Sequence, residues 1–255
     1  KGCAIFSTIL GYLGCAWNGW SDNWGDATRI WDTANGVWQI ANPQPIISDI
    51  QFDQTGAMVI GVADRGGWQW GHGNLPPAAA AYYQDWFGNW LYDTNSATNQ
   101  FYRAYAGGDQ LRACPDGGGN FVLENNATCG ATTTAGAGTS NGPGGGEYYW
   151  DDSVTVTNWA GSSGHQELGL GAFAFVPGRT TMAATITDPF FTLDGANVFR
   201  GNTVGIAKLS HIADPLTGQT AGEWVGSYEL GSHDAGTNDF AKSGGLGDLE
   251  VLCEN

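Results

Sequence analysis

Acidic side chains crowd around aromatic rings in this chain. That is the residue set a glycoside-cleaving site uses: an acid, a base or nucleophile, and rings that stack on sugar. Glu147, Asp151, Asp152, His165 and Glu167 surround Tyr148, Tyr149 and Trp150. Asp49, Asp53, Asp64 and Arg65 frame the segment ISDIQFDQTGAMVIGVADR at 47–65. Trp68, Trp70, Trp86 and Trp90 follow closely, and with Tyr148, Tyr149 and Trp150 they make up the candidate sugar-stacking set. In the plainer reading, Asp residues hold turns and Trp residues fill the space between sheets. It carries more weight, because spacing alone brings no two carboxylates into a working pair. GxSxG, HExxH, P-loop and dinucleotide-binding fingerprints are absent from the sequence. GPGGGE lacks the Lys and helix that a phosphate cradle requires. No catalytic residue is assigned, and the chain is read as a non-enzyme.

Metal signals are weak. SDNWGD (21–26) and DTNSATNQ (93–100) space oxygen-bearing side chains, but neither has the glycine and closing glutamate of an EF-hand loop. Weak Ca²⁺ binding is the one metal expectation, and no other cofactor is expected. His72, His165, His211 and His233 show no paired ligand spacing.

The elements that would position these residues read as hairpins. Residues 47–65 alternate, turn at Gly56 and alternate again. RIWDTANGVWQI (29–40) turns at Asn-Gly, and DQLRACPDGGGNFVLE (109–124) at Asp-Gly-Gly. LGAFAFVPGRTTMAATIT (170–187) turns at Pro177-Gly178, and IAKLSHIADPLTGQTAGEWVGSYEL (206–230) near Asp214 to Gly218. Apolar hairpins (3–15, 50–63, 170–187) alternate with more polar ones (29–40, 110–124, 206–230). An apolar inner pair followed by a polar outer pair is how a four-stranded propeller blade reads. The expectation is an all-β, β-propeller-like fold over 1–255 as a single domain or half-domain, with about three blades plus a strand. A β-sandwich is the rival architecture. Two insertions interrupt the rhythm. Residues 66–108 are aromatic-rich, with an Ala run after Pro77 that suits a short helix interrupted at Gly88. Residues 125–146 are rich in Gly and Thr and are expected to form a surface loop. Asn126 heads an Asn-Ala-Thr glycosylation sequon, and the Thr/Ser-rich run suits O-linked sugar.

With 41 Gly among 255 residues, and hydrophobic residues at 42%, the composition suits many tight turns around a packed interior. A net charge of −16 excludes nucleic acid and anionic membrane surfaces as natural partners. No stretch is apolar and long enough to span a bilayer. The start, KGCAIF, reads as a strand with no signal peptide before it, as in a mature or cut piece of something larger. None of the five cysteines has CxxC spacing. Cys3 and Cys15 flank one hairpin, Cys114 and Cys129 bracket a Gly-rich loop and a strand, and Cys253 is left over. Bridged cysteines imply an oxidising, extracellular or cell-surface location; the alternative is five buried thiols in a cytosolic protein.

Several phrases in order, PQPIISDIQFDQTGAMVIGVADR, GDQLRAC, FVLENNATCG, GPGGGEYYWDD, HQELGLGAFAFVPG and GGLGDLEVLC, span Pro43 to Cys253. In them the chain resembles large secreted bacterial surface proteins that carry a propeller-like region beside SdrD-like B-type domains. The resemblance implies a cell-surface or matrix protein and carries over no catalytic residue. The leading expectation is a non-enzymatic structural or adhesive protein that pairs with copies of itself or with other segments of a parent protein, a filament being one such assembly. A carbohydrate-binding module taking polysaccharide, and a propeller-fold glycoside hydrolase or lyase, are the alternatives.

Overall fold

The computed structural model describes residues 6–7, 11–12, 17, 19, 29–32, 37–40, 44–66, 82–84, 90–92, 102–103, 108–139, 142–150, 154–158, 161–165, 169–175, 181–187, 204–210, 224–231 and 249–250. Strand dominates them. The first half runs β1 (Phe6–Ser7), β2 (Gly11–Tyr12), β3 (Arg29–Asp32), β4 (Val37–Ile40), β5 (Pro45–Phe52), β6 (Met58–Asp64), β7 (Tyr82–Gln84), β8 (Trp90–Tyr92) and β9 (Tyr102–Arg103). The second half runs β10 (Asp109–Pro115), β11 (Phe121–Leu123), β12 (Thr128–Cys129), β13 (Thr132–Thr133), β14 (Val154–Asn158), β15 (Gly161–His165), β16 (Gly169–Phe175), β17 (Thr181–Thr187), β18 (Val204–Ser210) and β19 (Trp224–Gly231). No helix among the described residues is long and apolar enough to cross a membrane.

Two four-stranded antiparallel sheets form the frame, in the orders β5-β6-β10-β11 and β16-β17-β18-β19. Each joins one of the apolar hairpins read from sequence to the polar hairpin after it. In the first sheet β6 and β10 are central and bury both faces, whereas β5 and β11 are more exposed. The β5–β6 turn is closed by Asp53, whose carboxylate accepts from the backbone N–H groups of Thr55 and Ala57 at 2.8 and 3.1 Å. Gly56 supplies the positive φ of 78° there, a conformation glycine adopts without steric cost. Asp116 closes the β10–β11 turn in the same manner, accepting from Gly118 and Asn120.

The second sheet packs its first strand onto the first sheet, and glycine makes the approach close. A Cβ on Gly61 of β6 would overlap the carbonyl oxygen of Gly171 in β16. Side chains of β5 then serve the backbone of β16 where its pairing with β17 slips between Gly169 and Phe173. Phe173 N–H donates to Asp49 Oδ2 at 3.3 Å, and Gln51 Nε2 donates to the Phe173 carbonyl. The Phe173 ring is fully buried, edge-on to Phe175 at 5.8 Å between ring centres. Ala57, Val59, Cys114, Cys129, Tyr148, Tyr149, Met182 and Ala184 complete the core around it. Each fully buried large side chain contributes about 1.5–3 kcal/mol by leaving water.

The fold is all-β, as composition and alternation imply, but neither sheet closes on itself. The first expected blade is also not assembled as read. Among the described residues β1 and β2 pair with each other, and the β3–β4 hairpin takes β9 as a parallel third strand. Parallel pairing needs a long crossover, which the chain between β4 and β9 provides. Residues 82–84 and 90–92 form the β7–β8 hairpin where the insertion was read as partly helical. Tyr and Trp favour a pleated strand; the Ala run expected to be helical lies outside the described residues. The β12–β13 and β14–β15 hairpins have no counterpart in the sequence reading; both are short, and β14–β15 turns without an Asn-Gly or Asp-Gly signal.

Candidate functional site

Three ionisable side chains, Arg112, Asp53 and Glu124, meet at one buried place. Arg112, in the middle of β10, points inward and is 3% exposed. An arginine there needs a partner, since burying an isolated charge is prohibitive. Its Nη2 and Nε reach Asp53 Oδ2 at 2.6 and 3.1 Å, and Nη2 also donates to Thr55 Oγ1 at 2.8 Å. Its plane lies over the Tyr148 ring, 4.6 Å from the ring centre. The remaining nitrogen, Nη1, donates to Cys114 Sγ at 3.3 Å. Asp53 is thus a turn cap through Oδ1 and an ion-pair partner through Oδ2. Burial pushes the Asp53 carboxyl pKa up, but the bonds from Thr55 and Arg112 outweigh it and hold the value below the usual range. Burial likewise works against the Arg112 charge, and the Asp53 bond more than restores it.

Glu124 closes the other side. Its Oε1 accepts from the Arg112 backbone N–H at 2.7 Å, and its Oε2 accepts from the Tyr148 N–H. One carboxyl group therefore ties the edge of β10 to the 147–149 segment. Burial, with the nearby Asp109 charge adding to it, pushes the Glu124 carboxyl up to about 8, against the pull of those two backbone bonds and Arg112. Tyr148 and Tyr149 meet edge to face at 5.2 Å between ring centres. Burial raises the pKa of both phenols.

The stretch at 125–146 is anchored to this cluster. Cys129 of β12 is bonded to Cys114 of β10. Ala127, Cys129 and Thr134 are buried, so the segment contributes to the core despite its Gly/Thr-rich composition. Asn126 and Ala127 both take positive φ, 49° and 59°, in a tight turn closed by two backbone bonds between Asn125 and Thr128. Asn126 is exposed, and its Oδ1 accepts from Gly138 N–H at 2.8 Å.

Of the aromatic set, Tyr148 and Tyr149 are 0% and 1% exposed. Both rings turn into the core rather than toward solvent, Tyr148 beneath the Arg112 guanidinium. Trp150 is half-buried, and Trp90 lies in β8. Trp68, Trp70 and Trp86 lie outside the described residues, as do Cys3, Cys15 and Cys253, both Ca²⁺ candidate stretches, Asp151, Asp152 and Glu167. Glu147 is buried at 1% exposure, beside the two tyrosines. Asp64 is also committed, accepting from the N–H groups of Gln44 and Gly66 at 2.9 and 2.8 Å. His165 stands in β15, opposite Val154 of β14. No group of three or more His, Cys, Asp or Glu suited to holding a metal occurs among the described residues. The centre, Asp53 with Arg112, was missed from sequence. Its signal was a lone arginine in the strand DQLRAC, in a chain with only nine Lys and Arg residues.

The arrangement defines an all-β protein with a disulfide-stapled, charge-centred core. The chain is similar to Colossin-D of Dictyostelium discoideum, 28% identical over 218 residues, which is 83% of this chain and 18% of that protein. It is similar also to Colossin-B of the same organism, 30% identical over 243 residues, 89% of this chain and 5% of that protein. It thus spans a small part of the curated relatives it matches. These relatives are eukaryotic, which overturns the resemblance to bacterial SdrD-like surface proteins. No family model matches the chain. No solved structure matches it.

Proposed function

We propose that this chain is a non-enzymatic structural module of a much longer extracellular protein. The observation that carries the proposal is the use of the buried ionisable groups. Arg112, Asp53, Glu124 and Asp64 direct their described bonds to one another, to turns, to backbone and to the Cys114 sulfur, as scaffold residues do. The Cys114–Cys129 bridge suits an oxidising compartment. Two further features support the reading. The matched relatives are many times longer than this chain. Apolar side chains are exposed on both outer strands of the first sheet: Ile47, Ile50 and Phe52 on β5, and Phe121, Val122 and Leu123 on β11. Outer strands with apolar side chains are ready places for chain-to-chain pairing.

In this proposal the two four-stranded sheets are successive blades of a larger propeller. Support comes from their shared strand order and from the close glycine-mediated approach of β16 to β6. Light scattering and electron microscopy of the native protein test the function. Filaments or defined oligomers are the expected result. A uniform monomer that binds in a glycan screen would overturn it in favour of a sugar-binding module.

A further inference from the structure

We infer that Cys114–Cys129 is a polarised disulfide, with Cys129 the sulfur that captures a thiol and Cys114 the sulfur that leaves. Arg112 Nη1 donates to Cys114 Sγ at 3.3 Å. The guanidinium cannot swing away, because Asp53 and Thr55 hold its other edge and Tyr148 lies beneath its plane. Among the described residues no corresponding donor reaches Cys129. A disulfide breaks faster when the departing sulfur is the better-stabilised thiolate, and a fixed cation supplies that stabilisation.

Static exposure is slight at both sites, 7% for Cys114 and 3% for Cys129, so the difference lies in local opening, which favours Cys129. Both sulfurs belong to buried residues, but Cys129 stands in the two-residue strand β12, between exposed Thr128 and Gly130. Cys114 lies in the seven-residue strand β10. Opening a two-residue hairpin breaks far less structure than opening the sheet, so it occurs more often.

The chemistry balances as follows. An external thiolate attacks Cys129 Sγ and forms a new S–S bond there. The Cys114–Cys129 bond breaks, and its electron pair leaves on Cys114 as a thiolate held by Arg112. A second thiol then displaces Cys129, so the protein gains two electrons and the thiol leaves as its own disulfide. The first step marks Cys129 as a thiol-modification site and frees the 125–146 segment from its covalent tie.

The probe is limiting glutathione, added to the native oxidised protein. Acid quenching, alkylation and peptide mass spectrometry follow. Glutathione on Cys129 and alkyl label on Cys114 are expected, with about a tenfold preference or more. Glutathione on Cys114, an even split, or no exchange before global unfolding overturns the inference. A second measurement needs no variant: in the reduced protein, the alkylation midpoint of Cys114 should lie below that of Cys129, and equal midpoints overturn it. Arg112→Gln, where it folds, should bring the two together.

Discussion

Replacing Asp53 with Asn tests the centre of the molecule with almost no change of shape. Asn can keep its carbonyl where Oδ1 now caps the Thr55 and Ala57 N–H groups, at 2.8 and 3.1 Å. Its amide must then face Arg112, where Oδ2 now accepts two bonds at 2.6 and 3.1 Å. Donor meets donor, and a guanidinium 3% exposed loses its counter-charge. Breaking a buried pair from one side costs about 3–5 kcal/mol. That is a large part of the 5–15 kcal/mol typical of a domain. Urea unfolding followed by tryptophan fluorescence, with the disulfide intact, reads the loss. Arg112→Met alone should cost a similar amount. The double variant should cost less than the two losses together by at least about 2 kcal/mol, because it leaves no charge behind. The pH dependence has a defined sign. The Asp53 carboxyl is held below its unfolded value of 3.8, so its stabilisation is present above that pH and disappears as pH falls through the folded value. Asp53→Asn should remove this acid-side loss. A cost under about 1 kcal/mol, or strictly additive variants, would refute the account of a charge-centred core.

Three more expectations follow from the same geometry. Burial raises the Glu124 carboxyl from 4.5 to about 8, so its neutral form suits the fold; stability should fall as pH rises from 4.5 to 8, by at most roughly 5 kcal/mol, and Glu124→Gln should flatten that slope in pH-dependent melts. An unchanged slope would remove Glu124 from the explanation. Gly171→Ala places a Cβ against Ser48 Oγ at a φ of 92°, so a loss of about 3–5 kcal/mol is expected, with partial rescue by Ser48→Gly; a melting temperature within about 2 °C of the parent would contradict the close sheet approach. Cys114→Ala with Cys129→Ala removes a bridge across 15 residues and should lower stability by about 3 kcal/mol, read by urea titration beside the oxidised parent; equal midpoints would show that the bridge constrains nothing.

Local patterns made the sheets legible. Alternation and turn glycines mark β5–β6 and β10–β11, and the apolar-then-polar order of hairpins anticipates how they join. What stayed hidden depends on distance along the chain. Asp53 and Arg112 stand 59 residues apart, and Glu124 meets Tyr148 across 24. Nothing near Glu147–Trp150 says whether its rings face in or out. Acid beside aromatic reads as an exposed sugar platform, while the deciding partner, Arg112, lies far back along the chain on β10. The parallel β4–β9 pair was hidden for the same reason, because a parallel partner has no neighbouring turn to announce it.

Strands β6 and β10 are adjacent in one sheet, yet residues 65–108 run between them. Closing a loop of that size is an entropic toll that grows slowly, by only about 0.6 kcal/mol for each doubling of length. The junction between the two hairpins is therefore a place where chain can be added, outside β7, β8, β9 and the tightly packed Gly108, at little entropic cost to the frame. Among relatives, variety should gather in this cassette, while the Asp53–Arg112 seam on either side of it stays in register.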